Sequence, residues 1–96
     1  MRSGRSEREA RIVALVRAIP EGFVRTYGDI EPSAPRLVGR VLSHTQEPDL
    51  PWQRVVRADG SIPMGPRQRA LLEEEGVPIQ RDRVDLRRAR LPPELS

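Results

Sequence analysis

Tryptophan, tyrosine and histidine each occur once in this 96-residue chain, and cysteine does not occur. The absence of cysteine excludes disulfides, cysteine metal ligands and thiol nucleophiles. A single histidine, His44, excludes a His-rich metal site as well. The side chains left for recognition are arginines and three aromatics, Phe23, Tyr27 and Trp52. All 17 basic residues are arginine. A GC-rich genome produces such a bias. It also suits phosphate and base contacts, because guanidinium forks fit both. The net charge is +3, and its excess lies mid-chain. Between Arg36 and Arg69 six arginines (36, 40, 54, 57, 67 and 69) face three acids, Glu47, Asp49 and Asp59. That pattern suits a polyanionic partner.

The stretch Pro51-Trp52-Gln53-Arg54-Val55-Val56 carries the most information. A tryptophan between proline and glutamine, after the polar loop 45–51, either plugs a small core or presents an indole for stacking. It cannot act as a nucleophile, since the indole nitrogen is a hydrogen-bond donor only.

The elements that position these residues follow from caps and periodicity. Ser6 and Glu9 have capping-box spacing, so a helix opens at Ser6. Ile12, Leu15, Val16 and Ile19 give it one apolar stripe, and Pro20 and Gly22 end it. Phe23 to Arg25 reads as a short extended piece. Thr26 and Asp29 form a second cap pair, opening a helix that Pro32 and Pro35 keep short. Ser33 is the expected N-cap of a third helix over 34–44. Leu37, Val38, Val41 and Leu42 form its buried face, with Arg36, Gly39, Arg40 and Ser43 mostly opposite. Two short helices so joined read as helix-turn-helix. Gln53 to Arg57 is predicted extended, Asp59-Gly60 marks a turn, and 62–66 is irregular. A fourth helix is predicted over 67–75, with Gly76 in a left-handed cap. A short alternation around Val84 and Leu86 follows, ended by Pro92-Pro93.

Four motifs occur in one order: Tyr27-Gly28-Asp29-Ile30, Pro35-Arg36-Leu37-Val38-Gly39-Arg40, Pro51-Trp52-Gln53-Arg54-Val55-Val56, and Leu71-Leu72 through Glu75-Gly76-Val77. Together they resemble the DNA-binding domain of the O6-alkylguanine-DNA alkyltransferases. That family carries proline-cysteine-histidine-arginine-valine, and its cysteine takes the alkyl group. Trp52 stands at the cysteine position, as in the alkyltransferase-like proteins. The resemblance covers residues 7–88. It implies a mainly α fold: a small winged-helix/helix-turn-helix DNA-binding domain with short extended segments. The domain is expected over 6–91, between a disordered tail at 1–5 and a C-terminal tail at 92–96.

The resemblance also implies roles. Arg36 matches a finger that enters the duplex, and Tyr27 a tyrosine that crowds the phosphate and rotates the nucleotide. Gly39 matches a small residue that lets the helix approach the minor groove, and Arg40 and Ser43 join Tyr27, Arg36 and Gly39 on the DNA side. Tyr27, Trp52, Gln53, Arg54 and Val55 form the implied alkylguanine pocket, with Val55 reading the guanine edge through its backbone. Gln53 replaces the family's histidine, so Glu75, matching the relay glutamate, is expected to be structural. The turn Glu31-Pro32-Ser33-Ala34 is shorter than the family's. Ile62-Pro63-Met64-Gly65-Pro66 replaces a glycine- and tyrosine-containing loop. His44 is expected to be a helix-end residue.

The implied function is non-enzymatic recognition of O6-alkylguanine in duplex DNA, flagged for nucleotide excision repair proteins, with no cofactor and no metal. Direct dealkylation needs a thiolate, and none is present. The rival is a small winged-helix transcriptional regulator of undamaged DNA, which is usually dimeric. No dimerisation helix or heptad seam supports it, so a monomer is expected. A base glycosylase would need a lysine or carboxylate beside Trp52; there is no lysine, and no acid adjoins it. The longest apolar run, Ile12 to Val16, is too short to span a bilayer, and no signal peptide opens the chain. The expected location is the cytoplasm, nucleoid-associated when bound to DNA.

Overall fold

A computed structural model describes residues 6–95. The tail expected at 1–5 lies outside them, as does Ser96 of the tail expected at 92–96. Helix α1 spans Glu7–Arg17. The Ser6 hydroxyl accepts from the Glu9 N–H at 3.0 Å, and the Glu9 carboxylate accepts from the Ser6 N–H at 3.1 Å. Both are donors a helix start otherwise leaves unpaired. The buried side is broader than one stripe: Val13 is buried with Ile12, Val16 and Ile19, while Leu15 is half-buried. The cause is that α1 packs against two elements, α2 and α3, rather than one.

Strand β1 (Arg25–Thr26) pairs in parallel with β2 (Val55–Val56), in register Arg25↔Val55 and Thr26↔Val56. Parallel strands need a long crossover, and here α2, α3 and the loop after them supply it. Successive side chains on a strand point to opposite faces. Val55 accordingly enters a core with Ile12, Val16, Ile30 and Val38, and Val56 enters a second core with Val24, Leu72, Val77 and Val84. This two-residue pair is the seam of the molecule.

Helix α2 (Tyr27–Ile30) carries the expected reciprocal cap, with Thr26 and Asp29 bonded at 3.0 and 3.1 Å. Arg90 grips Asp29 at 3.0 and 2.5 Å. Helix α3 spans Pro35–His44, burying Val38 and Val41 with Leu37 and Leu42 half-buried. Ser33 is not its cap: the N-cap is Ala34, without a side-chain bond. The Ser33 hydroxyl instead donates to Glu31 at 2.7 Å and accepts from Arg8 at 2.6 Å. The Arg8 guanidinium, a charged donor, takes the acceptor role that a helix N–H would otherwise use. Glu31 is 5% exposed, and a carboxylate so enclosed must be paired. Arg8 and Arg11 each donate to it at 3.2 Å, fastening α1 to the α2–α3 turn.

The segment expected to be extended over 53–57 is divided. Trp52–Arg54 forms a 3₁₀ turn, and only Val55–Val56 is strand. Helix α4 spans Gly65–Glu74, beginning two residues earlier than predicted. Pro66 is tolerated in a first turn, and the Gln68 side chain accepts from the Met64 N–H at 2.9 Å. At its end Val77 N–H bonds the Leu72 carbonyl and Gly76 N–H the Glu73 carbonyl, with Gly76 at φ +80°. This is the predicted left-handed cap.

The alternation around Val84 resolves into a hairpin, β3 (Ile79–Gln80) and β4 (Arg83–Val84). Its loop residues, Arg81 and Asp82, both have positive φ, +55° and +58°, as a tight primed turn requires. A short helix α5 (Leu86–Ala89), capped by Asp85, was not anticipated. The chain then runs beside Val24, whose N–H bonds the Ala89 carbonyl at 2.9 Å and whose carbonyl accepts from Leu91 at 2.8 Å. A final 3₁₀ turn covers Pro93–Leu95. Among the described residues no helix is long and apolar enough to cross a membrane.

Candidate nucleic-acid interface

The α2–α3 unit presents one face to solvent. Arg36, Arg40 and Ser43 are exposed on α3, opposite Val38 and Val41. The Ser43 hydroxyl donates to the Arg40 carbonyl at 2.9 Å, and His44 ends the helix with Nδ1 2.8 Å from the same carbonyl. Tyr27 is half-buried against the first core. Burial raises its pKa, opposed by the positive charge of Arg57. A Cβ built on Gly39 would lie 3.9 Å from Tyr27 Cε1, an ordinary contact. The two short helices therefore bring Tyr27 and Gly39 together.

Trp52 heads the 3₁₀ turn and lines an open cleft of about 610 Å³ with Arg17, Leu50, Gln53, Arg54, Arg67 and Leu71 among others. The Arg67 guanidinium lies over the indole, 5.5 Å from the ring centroid, within cation–π range. Behind it, Glu75 is fully engaged. Gln53 donates to it at 2.7 Å, and Arg54 at 2.9 and 3.1 Å while also donating to the Ile19 carbonyl at 2.7 Å. Burial pushes the Glu75 carboxyl up, but the bonds from Arg54 and Gln53 outweigh it and hold the group below the usual carboxylate range. Glu75 is thus an ionised clasp between α4, the 3₁₀ turn and the end of α1.

Of the residues assigned to the pocket from sequence, Trp52, Gln53 and Arg54 share this cleft, whereas Tyr27 and Val55 are not among its lining. All three Arg54 nitrogens are committed to Glu75 and Ile19. The Val55 side chain is wholly buried. Its N–H bonds the Trp52 carbonyl, and its carbonyl accepts from Gln68 at 2.9 Å, which leaves only the second lone pair of that oxygen.

Sequence reasoning missed Arg67 and Gln68. Gln68 is completely buried, and its amide nitrogen bonds the carbonyls of Gln53 and Val55 while its oxygen takes the Met64 N–H. It holds the middle of the Trp52 turn and the first residue of β2 to α4. The available signal was helical spacing: Gln68 shares a face with Leu71 and Leu72, where a polar residue must be fully bonded.

The arginines divide into two sets. Arg8, Arg11, Arg17, Arg25, Arg54, Arg69, Arg83 and Arg90 are spent on carboxylates or main-chain carbonyls. Arg36, Arg40, Arg57, Arg67, Arg81, Arg87 and Arg88 meet no carboxylate among the described residues. Internal pairing neutralises acids such as Glu31, Asp29 and Glu75, so the uncompensated charge resides on free guanidinium groups.

Residues 7–77 match the family described as 6-O-methylguanine DNA methyltransferase, DNA binding domain. A relative from Escherichia coli K12, named DNA base-flipping protein, is 45% identical, over 83% of this chain and 70% of its own length. The structure of Atl1 from S. pombe, in complex with damaged DNA containing O6-carboxymethylguanine, superposes with a TM-score of 0.78 at 33% identity, over 96% of this chain and all of that one. Mycobacterium tuberculosis OGT in complex with DNA gives 0.65 at 32% identity, over 73% of this chain and 50% of that one. The first two relatives align over most of both chains and carry base-flipping or Atl names. The chain belongs to the DNA-binding-domain family of the 6-O-methylguanine DNA methyltransferases, in its alkyltransferase-like branch.

Proposed function

We propose that this protein recognises O6-alkylguanine in duplex DNA by extruding the damaged nucleotide, without transferring the alkyl group, and flags the site for nucleotide excision repair. The observation that carries this reading is the Arg67 guanidinium over the Trp52 indole, a tryptophan that the resemblance matches to the alkyltransferase nucleophile. An indole there can stack but cannot accept an alkyl group by displacement. The Gln53–Glu75 bond replaces a histidine relay with an amide that is no base near neutral pH. The relatives' names and bound damaged DNA support base extrusion. In this reading α3 lies along the minor groove, Gly39 allowing close approach, with Arg40 and Ser43 toward the backbone. Arg36 occupies the space the nucleotide leaves, and Tyr27 crowds the phosphate. The base enters beside Trp52, with Gln53, Arg54 and Val55 as the frame behind it. The protein acts as a monomer in the cytoplasm, on the nucleoid when bound.

The magnitudes allow selectivity. Extrusion costs a few kcal/mol, and less for a damaged pair. Stacking on an aromatic returns about 1–3 kcal/mol, and burying a methyl adds about 0.8 kcal/mol. The test is a titration, at fixed salt, of two labelled duplexes identical except for one O6-methylguanine, followed by protein mass spectrometry. Tighter binding to the lesion with unchanged mass is expected, and Trp52→Ala and Arg36→Ala should each abolish most of that preference. Equal binding to both duplexes, or a gain of one methyl in mass, rules the reading out.

A further inference from the structure

The parallel β1–β2 register ends at the Thr26↔Val56 step. The residues that follow this pair are Tyr27, the first of α2, and Arg57, which leads into the 57–61 turn. Val55 faces the core against which Tyr27 packs. Arg57, two residues further on, is near enough for its positive charge to act on the Tyr27 hydroxyl. Its main chain is held: its N–H bonds the Ser61 carbonyl at 3.1 Å and its carbonyl takes the Gly60 N–H at 2.8 Å. Its side chain is exposed and meets no carboxylate among the described residues. The acid nearest in sequence, Asp59, is committed to the Ser61 N–H at 2.9 Å and to Arg83 at 3.7 Å. On the other side of Tyr27, Gly39 brings α3 with Arg36 and Arg40 into the same region. A neutral hydroxyl donor and an exposed guanidinium that meets no carboxylate among the described residues, each one residue beyond the same strand pair, can serve a doubly bridging anionic oxygen group.

We propose that Arg57 is a further anchor of the DNA interface, binding with Tyr27 a single backbone phosphate at the point where the nucleotide is extruded. The proposal rests on the DNA-binding reading above and adds a residue to it from the far end of the parallel pair. It also accounts for a charge that no internal partner uses. The Arg57 contact carries no base information. It strengthens binding to damaged and undamaged duplex alike and steadies the strand while the base turns out.

The experiment is a salt titration of the whole chain and of Arg57→Ala and Arg57→Lys on the O6-methylguanine duplex and its undamaged twin. It is repeated with single neutral methylphosphonate linkages around the lesion, and thermal melts confirm folding. Arg57→Ala should weaken both duplexes about tenfold and lower the salt slope by about 0.9, the signature of one lost phosphate contact. Arg57→Lys should recover most of the loss. One methylphosphonate beside the lesion should cost the unaltered protein the same factor and Arg57→Ala nothing further. An unchanged salt slope in Arg57→Ala, or equal losses in both proteins at every linkage, overturns the proposal. Unaltered protein that binds both duplexes equally would defeat the lesion reading, while the slope would still report on Arg57.

Discussion

Two glycines separate what a residue does for the fold from what it does for recognition. Gly60 sits at φ +86°, and a Cβ there would lie 2.5 Å from the Val84 carbonyl oxygen, whose own N–H bonds the Gly60 carbonyl at 2.8 Å. Neither backbone can yield without losing the bridge between the turn and β4. Gly60→Ala should cost about 2–3 kcal/mol by chemical denaturation, from left-handed strain and the clash together. Gly39 is the opposite case. It lies within α3, and a Cβ would meet only the Tyr27 ring at 3.9 Å. Gly39→Ala should raise stability by about 0.5–1 kcal/mol through helix propensity, yet weaken duplex binding if that surface approaches DNA closely. A melt and a titration on the same protein sample check both halves. Stabilisation with undiminished binding would remove Gly39 from the interface.

At the scale of elements, the placement of α3 depends on a carboxylate. Hydrogen bonds from Arg8 and Ser33, helped by Arg11, hold Glu31 down at about 2 from its ordinary 4.5. A depressed carboxyl contributes stability that is present above its unfolded pKa and is lost as pH falls through the folded one. The Glu31 contribution should thus be intact above about pH 4.5 and fade between there and about pH 2. Glu31→Gln should flatten the acid limb of a stability–pH profile in that window and leave the fold helical by circular dichroism. An unchanged profile would mean that the α1–α3 junction does not depend on this ion cluster. The same cluster explains why Ser33 fails as a cap: its hydroxyl serves the junction instead of the helix.

At the scale of the molecule, two apolar cores meet at Val55 and Val56, and polar side chains bolt them together. Gln68 reaches from α4 to the Gln53 carbonyl inside the Trp52 turn and the Val55 carbonyl just after it, while Arg54 and Glu75 tie that turn to the end of α1. Gln68→Leu would strand the Met64 N–H and two carbonyls, each costing roughly 1–3 kcal/mol when buried unpaired. Relaxation and water entry reduce that sum, so a loss of about 3 kcal/mol is expected by urea denaturation. Because Gln68 holds the segment that carries the chain's one tryptophan, the native fluorescence should also shift to longer wavelength as Trp52 gains solvent. Full stability with an unshifted spectrum would show that Gln68 is dispensable.

Much of this was legible from residues alone. The two capping boxes, the proline-limited helix α2, the buried face of α3 and the glycine stop of α4 are local events, decided within four or five residues by hydrogen bonds and backbone conformation. The family was legible too, from four motifs in one order, as was the absence of any cysteine. What tertiary structure alone decided is non-local. Two-residue strands have no readable period, so the β1–β2 seam, with its thirty-residue separation, left no pattern. The hairpin loop uses Arg81 and Asp82 where asparagine and glycine are the usual signal, and α5 is a single turn. Above all, seventeen arginines look alike in a sequence. Which of them clamp carboxylates inside the fold, and which stand free for phosphate, depends on distances that exist only once the chain has closed on itself.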